Sequence, residues 1–268
     1  MSAAVTLGDL LAPVRDDPPG SAVLLDVDGT LAPIVRHAAD ASVPEPTRAR
    51  LIEIARRYGL LACVTGRRAA DARRMVSIGS IAYVGNHGAE VLRPGATRAE
   101  VEPALAQSAR QVHDFVRRVR SQELDRLRVR IEDKDVIVAF HWRGAPDEVG
   151  AQAAVEELGR QAESAGLWTH RGRKVLEVRP PVPLDKGVGV RTLLRSSGLS
   201  TALYVGDDVT DLDAFRALGE MAAGGELGRA MRIGVRSDEG PPEIEREADG
   251  VVDGPDGVRL LLDSLLGE

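Results

Sequence analysis

The sequence predicts a doubly wound, mostly parallel α/β core interrupted by an inserted α+β module, and three observations point to it. Short, non-alternating apolar runs recur at 22–25 (AVLL), 60–64 (LLACV), 81–84 (IAYV), 202–205 (ALYV) and 231–235. Such runs are how parallel strands read when helices cover both faces. Helical patterns lie between them, at 46–58 with Leu51, Ile54, Ala55 and Tyr58 on one face, and at 208–218 and 257–266. The third observation is a break in that rhythm between about 94 and 181.

Inside the break, residues 98–124 read as one long helical stretch. Two alternating strands follow. The first is 128–133, with Val129 and Ile131 inward; the second is 135–142, with Val136, Val138, Phe140 and Trp142 on one face. Asp133 and Lys134 link them tightly. A helix at 146–165 then precedes strands at 167–170 and 174–178, and prolines at 180, 181 and 183 return the chain to the first pattern. The order αββαββ predicts an antiparallel sheet with both helices on one face. The expected organisation is 1–93 and 182–268 as a discontinuous Rossmann-like core, with 94–181 inserted. No role is assigned to residues 1–20.

Composition narrows the class. In 268 residues, 43% hydrophobic and 28% charged side chains can build a globular core. A net charge of −6 argues against nucleic acid as a partner. No apolar run approaches the roughly 18 residues of a membrane span, and the first ten residues do not read as a secretory signal. The single cysteine, Cys63, excludes an internal disulfide framework, reads as a buried small hydrophobe, and favours a reducing, cytoplasmic setting. Of 35 basic residues only three are lysine, Lys134, Lys174 and Lys186. An arginine bias of that size can follow from genome composition alone, yet a retained lysine can also mark a need for a compact ammonium head.

Polar clusters fall where the strands end, which is where α/β sheets bind ligands. Asp26 and Asp28 with Gly29-Thr30 follow the first run; Thr65-Gly66-Arg67 follows the second; Gly85-Asn86-His87-Gly88 follows the third. Gly206-Asp207-Asp208-Val209-Thr210-Asp211 follows the fourth, and Asp185 reads as an N-cap for a helix opening at Lys186. Carboxylates this crowded need a cation, and Mg2+ takes carboxylate oxygens, waters and phosphate together. Asp26, first off its strand, is the nucleophile candidate, and Asp28 the general acid/base. The Thr65 hydroxyl and Lys186 ammonium suit phosphoryl oxygens. Taken singly, each motif has a plain structural reading. DxDGT can be a turn, although it fails as a calcium loop for want of a third ligand position and the later glutamate. GDDVTD can be helix capping.

Together, Asp26-Val27-Asp28-Gly29-Thr30-Leu31, Thr65-Gly66-Arg67, Lys186 and Gly206-Asp207-Asp208…Asp211 resemble the four motifs of the haloacid dehalogenase superfamily. DVDGTLAPI, VTGRR, GNHGAE, Glu132-Asp133-Lys134, KVLEVRP, Asp185-Lys186-Gly187 and GDDVTDLDAF resemble, more narrowly, the trehalose-6-phosphate phosphatases over nearly the whole chain. The resemblance implies hydrolysis of trehalose 6-phosphate through an aspartyl-phosphate, with Mg2+ on Asp26, the Asp28 carbonyl and Asp207, and Asp208 or Asp211 alongside. It implies substrate contacts from Gly29, Arg67, Asn86 and His87. From an inserted module that closes over the sugar, it implies contacts from Glu132, Lys134, Lys174, Glu177 and Arg179. All three lysines fall at motif positions, and a functional link to a trehalose-phosphate synthase is expected. One departure stands out: Leu212 occupies a place where the family usually has an acid. The alternatives are a phosphatase for sucrose phosphate or mannosylglycerate phosphate, a phosphomannomutase-like transferase, and a non-catalytic sugar-phosphate sensor.

Overall fold

The computed structural model describes residues 6–35, 40–101, 103–237 and 240–267. It divides into two units, 1–100 with 184–268, and 101–183.

The first unit opens on helix α1 (Leu7–Asp16), begun by a capping box in which Thr6 and Asp9 satisfy each other's backbone amides. There follow β1 (Ser21–Leu25), α2 (Glu45–Arg57), β2 (Leu60–Val64), α3 (Ala69–Val76), β3 (Ala82–Gly85), β4 (Glu90–Leu92) and β5 (Glu100–Val101). The second unit contains α4 (Pro103–Val119), α5 (Gln122–Arg126), β6 (Arg130–Asp133), β7 (Val138–His141), α6 (Glu148–Ser164), β8 (Trp168–Gly172) and β9 (Val175–Arg179). The chain then completes the first unit with α7 (Lys186–Arg195), β10 (Thr201–Gly206), α8 (Asp211–Ala223), β11 (Arg229–Arg236), α9 (Pro242–Glu247), β12 (Gly250–Asp253) and α10 (Gly254–Leu266).

The larger sheet runs β12-β11-β10-β1-β2-β3-β4-β5, parallel from β12 to β3, with β4 antiparallel to β3. Alternate residues of β1 enter opposite cores. Val23 and Leu25 pack with α1, α2, α3 and α10, while Ala22 and Leu24 pack with α7, α8 and α9. Every residue of β1 and β10 is buried, which is why these strands show no polar alternation. Strand order reverses about β1, since the chain winds outward through β2 and returns on the other side through β10. The carboxyl ends of β1 and β10 therefore face the crevice where such folds bind ligands.

Several expectations are corrected. Residues 7–16, left without a role, form a helix that buries Leu11 and Val14 in the core; Pro13 within it and the Pro18-Pro19 pair hide its periodicity. Strands β4 and β12 carry too few apolar residues to stand out. The stretch 98–124 is not one helix: β5 lies at its start, and Ser121 caps a separate short helix. The unit boundaries lie at 100/101 and 183/184 instead of 93/94 and 181/182. Residues 94–100 stay with the first unit because Arg73 donates to the Ala96 carbonyl at 2.5 Å and Arg93 pairs with Glu100 at 3.1 Å.

In the second unit β6-β7-β9-β8 form an antiparallel sheet. Val138, Phe140, Leu176 and Val178 face α4 and α6 in one apolar core with Val112, Phe115, Val155 and Leu158. The β6–β7 link is wider than the sequence suggested, spanning 134–137, with Asp135 left-handed at φ 67°. Pairing aligns Glu132, Ala139, Glu177 and His170 in one row across the sheet, on the face away from that core.

Candidate active site

In the first unit, Asp26 leaves β1, Lys186 opens α7, Asp207 follows β10 and Asp211 opens α8. All four side chains are buried. Lys186 Nζ donates to Oδ1 of Asp26 at 2.6 Å and to Oδ1 of Asp211 at 2.7 Å. Thr30 donates to Oδ1 of Asp207 at 2.9 Å. Asp211 is the organiser of this cluster. Its Oδ1 also accepts the Tyr204 hydroxyl at 2.6 Å, and its Oδ2 accepts the Asp207 and Asp208 amides at 3.1 and 2.9 Å.

Charge is unbalanced here. Burial raises the Asp26 carboxyl pKa well above its ordinary value; Lys186 opposes that shift, and Asp211 and Asp207 add to it. Burial, then Asp211, pushes Asp207 up to about 7. For Lys186, burial favours the neutral amine, but Asp211 and Asp26 outweigh it and raise the pKa. One ammonium thus stands among three buried carboxylates.

A divalent cation suits that imbalance. Asp26, Asp207 and Asp211 place carboxylate oxygens within 4.8 Å of one another. Both oxygens of Asp211 already accept two hydrogen bonds each, whereas Lys186 and Thr30 engage only Oδ1 of Asp26 and Asp207. The second oxygens of Asp26 and Asp207 are therefore the donors that fit a hard cation. Asp208, the alternative to Asp211 as a further ligand, is exposed and accepts the neighbouring Val209 amide at 2.6 Å, outside the cluster. Leu212, where the family usually has an acid, is a buried residue of α8 that packs in the apolar core.

Gly29 adopts φ 89°, and a Cβ there would collide with the Asp207 carboxylate. Its amide donates to the Ala32 carbonyl at 2.8 Å, so its contribution is the space it leaves for Asp207. Asp28 points to Arg67, which grips both its oxygens: Nε to Oδ2 and Nη2 to Oδ1, each at 2.6 Å. Thr65 is buried, and its hydroxyl oxygen accepts the Arg67 amide at 3.2 Å. Asn86, expected at the substrate, is fully buried, and its side chain donates to Glu90 at 3.2 Å within its own turn. His87 packs over Gly66, where a Cβ would lie 2.6 Å from its ring.

The second unit gathers a separate polar group. Lys134 Nζ meets Oε1 of Glu177 at 2.8 Å, and Arg179 meets Oε2 at 2.5 Å, all three side chains largely buried. Glu132 accepts from His141 at 2.8 Å, and that bond, offset by burial and helped by Lys134, lowers its pKa to about 2. Lys174 does not join them. It sits at the β8–β9 turn and pairs with Glu148 of α6 at 2.6 Å, on the helix side of the sheet.

Sequence reasoning left Thr30, Tyr204, Glu90 and His141 without roles. Tyr204 was the most legible, because a tyrosine inside a buried strand needs a partner for its hydroxyl. His141 alternates with the inward residues 138, 140 and 142, and so faces Glu132.

Residues 24–247 match the family described as trehalose-phosphatase. The chain belongs to that family. It is 35% identical over 214 residues to the trehalose-phosphate phosphatase of Mycobacterium marinum, covering 75% of this chain and 52% of that one. The chain spans about half the length of the curated relatives it matches. Among solved structures, the C-terminal domain of Candida albicans trehalose-6-phosphate phosphatase aligns with TM-score 0.73 and 21% identity over 97% of both chains. The C-terminal domain of the Candida albicans trehalose synthase regulatory protein aligns with TM-score 0.59 and 14% identity over 91% of this chain and 92% of that one. At those identities the likeness establishes the fold, and it covers both a phosphatase and a regulatory protein.

Proposed function

We propose that this chain is a Mg2+-dependent phosphatase that hydrolyses trehalose 6-phosphate to trehalose and phosphate. The observation that supports it most is the buried Asp26–Lys186–Asp211–Asp207 cluster at the carboxyl ends of β1 and β10, in a chain of the trehalose-phosphatase family.

Asp26 attacks phosphorus through a carboxylate oxygen, and the bond from phosphorus to the sugar oxygen breaks. Asp28 supplies the proton to the departing alkoxide, then takes one from the water that cleaves the aspartyl-phosphate, restoring Asp26 and releasing phosphate. Lys186 bridges Asp26 and Asp211, and with the Thr65 hydroxyl it offers donors to phosphoryl oxygens. Asp26 and Asp207 would hold the magnesium ion, with Asp211 fixing the turn that carries Asp207. When bound, the ion supplies positive charge between an anionic nucleophile and an anionic phosphate.

Glu132, Lys134, Glu177 and Arg179 supply the mixed donors and acceptors that select a disaccharide. The net charge of −6, the lone buried Cys63, and the fact that no described helix is long and apolar enough to cross a membrane support a cytoplasmic setting. A functional link to a trehalose-phosphate synthase accords with the fold shared with the regulatory protein's domain.

The test is phosphate release from trehalose 6-phosphate, sucrose 6-phosphate, glucose 6-phosphate and mannose 1-phosphate, with Mg2+ and with chelator. Chelator-sensitive release from the trehalose ester, well above the others, is expected. Release from another ester alone discards the substrate, and release from none discards the enzyme in favour of a sensor.

A further inference from the structure

We infer that Arg67 is a positioning residue for Asp28: held from behind by the 86–88 turn, its guanidinium aims the carboxylate that serves the leaving group. The inference rests on the reading of Asp28 as acid/base above.

The geometry is specific. Both Asp28 oxygens are taken side-on by one planar fork, at 2.6 Å each, across 39 residues of sequence. A bidentate guanidinium contact fixes direction as well as distance, which a lysine point charge would not do. With its side chain so engaged, Arg67 is poorly placed to receive a phosphate as well.

The backbone of Arg67 is fixed on two sides. Its amide donates to Thr65 Oγ1 at 3.2 Å, and its carbonyl accepts the Asn86 amide at 2.8 Å. The His87 amide reaches back to the Thr65 carbonyl at 3.2 Å, and its ring covers Gly66. To make these bonds, Asn86 and His87 hold consecutive left-handed conformations, φ 49° and 55°, which non-glycine residues adopt at a cost. Asn86 is anchored to Glu90, which also accepts the first amide of α3 at 2.7 Å. The strained turn thus delivers its bonds to the 65–67 backbone, and through Arg67 to Asp28.

A group that orients proton transfer matters most where the leaving oxygen needs a proton. A sugar alkoxide does, and p-nitrophenolate does not. The full chain is assayed on trehalose 6-phosphate and p-nitrophenyl phosphate as R67Q, R67K, D28N and R67Q/D28N, with circular dichroism to confirm folding. R67Q is expected to lower kcat/KM, which reports the steps up to loss of the alcohol and not the later water attack, more than ~30-fold on the sugar ester and less than about threefold on the nitrophenyl ester. R67K should recover only part of the loss, and the double variant should be no worse than D28N.

Equal losses on both esters, or multiplicative losses in the double variant, would overturn the inference. Should R67Q not fold, R67K carries the same leaving-group comparison. If D28N itself shows no leaving-group dependence, the acid/base reading fails and the inference with it. If the parent turns over only a different sugar phosphate, that ester replaces trehalose 6-phosphate and the inference is tested unchanged.

Discussion

The Tyr204 hydroxyl donates to Oδ1 of Asp211 at 2.6 Å, the same oxygen that takes the Lys186 ammonium at 2.7 Å. A phenol from the middle of a buried strand therefore shares the acid that fixes the lysine. Tyr204 also meets Phe215 edge-on at 6.0 Å, which holds the ring in place. Tyr204→Phe should keep that packing and lower unfolding free energy by about 1–3 kcal/mol, because Asp211 loses one buried donor. Asp211→Ala should cost more, on the order of 3–5 kcal/mol, because the Tyr204 hydroxyl and two backbone amides lose their acceptor and Lys186 keeps only Asp26. Denaturant midpoints rank the two, and the reverse order would show that Asp211 does not organise the cluster.

Gly29→Ala puts a methyl group into the Asp207 carboxylate while straining a backbone at φ 89°. Gly95→Ala is the matched control, left-handed at φ 74° with open space around its Cα. Each substitution carries the backbone penalty of about 1–2 kcal/mol. Only Gly29→Ala is expected to abolish phosphate release as well, by about 100-fold or more, since it alone displaces a cluster carboxylate. Comparable activities in the two variants would separate Gly29 from Asp207.

Glu132 titrates at about 2 in the folded chain against an ordinary 4.5. A depressed carboxylate stabilises the fold above the unfolded value and loses that contribution as pH falls through the folded one, so the window runs from about 4.5 down to 2. One third of its side chain is exposed, and screening reduces the effect to on the order of 1–2 kcal/mol. Both tryptophans, Trp142 and Trp168, lie in the second unit, so their fluorescence follows its unfolding. Between pH 5 and 3 the parent should lose more stability by this probe than E132Q; parallel curves would remove Glu132 from the account.

Burial raises the pKa of the Cys63 thiol, and the nearby Asp26 charge raises it further. Native protein should leave a thiol reagent unreacted over hours, then take up one equivalent on denaturation. Rapid native labelling would mean that the end of β2 opens far more often than its packing implies.

The strand-end motifs were readable because each polar cluster ends an apolar run, and Asp26, Lys186, Asp207 and Asp211 converge as that placement implies. Where the structure sets a side chain apart from its motif neighbours, the cause is physical in each case. Asn86 looked available because it is polar and follows a strand, yet the left-handed turn folds it inward onto Glu90. Lys174 sits three residues from Glu177, but the β8–β9 turn sends it to Glu148 on the helix side. Asp208 has the same chemistry as Asp207, but the turn exposes it to solvent.

By itself the sequence determined the α/β class, the inserted α+β module and the order of the chemical groups, because strand burial and turn chemistry are local and leave periodic traces. Only the tertiary structure decided which oxygen meets which donor. Arg67 finds Asp28 across 39 residues, Thr30 finds Asp207 across 177, and Lys186 finds Asp26 across 160. No local pattern encodes such pairings, since they arise when the sheet brings the ends of distant strands together and burial obliges each charge to take a partner.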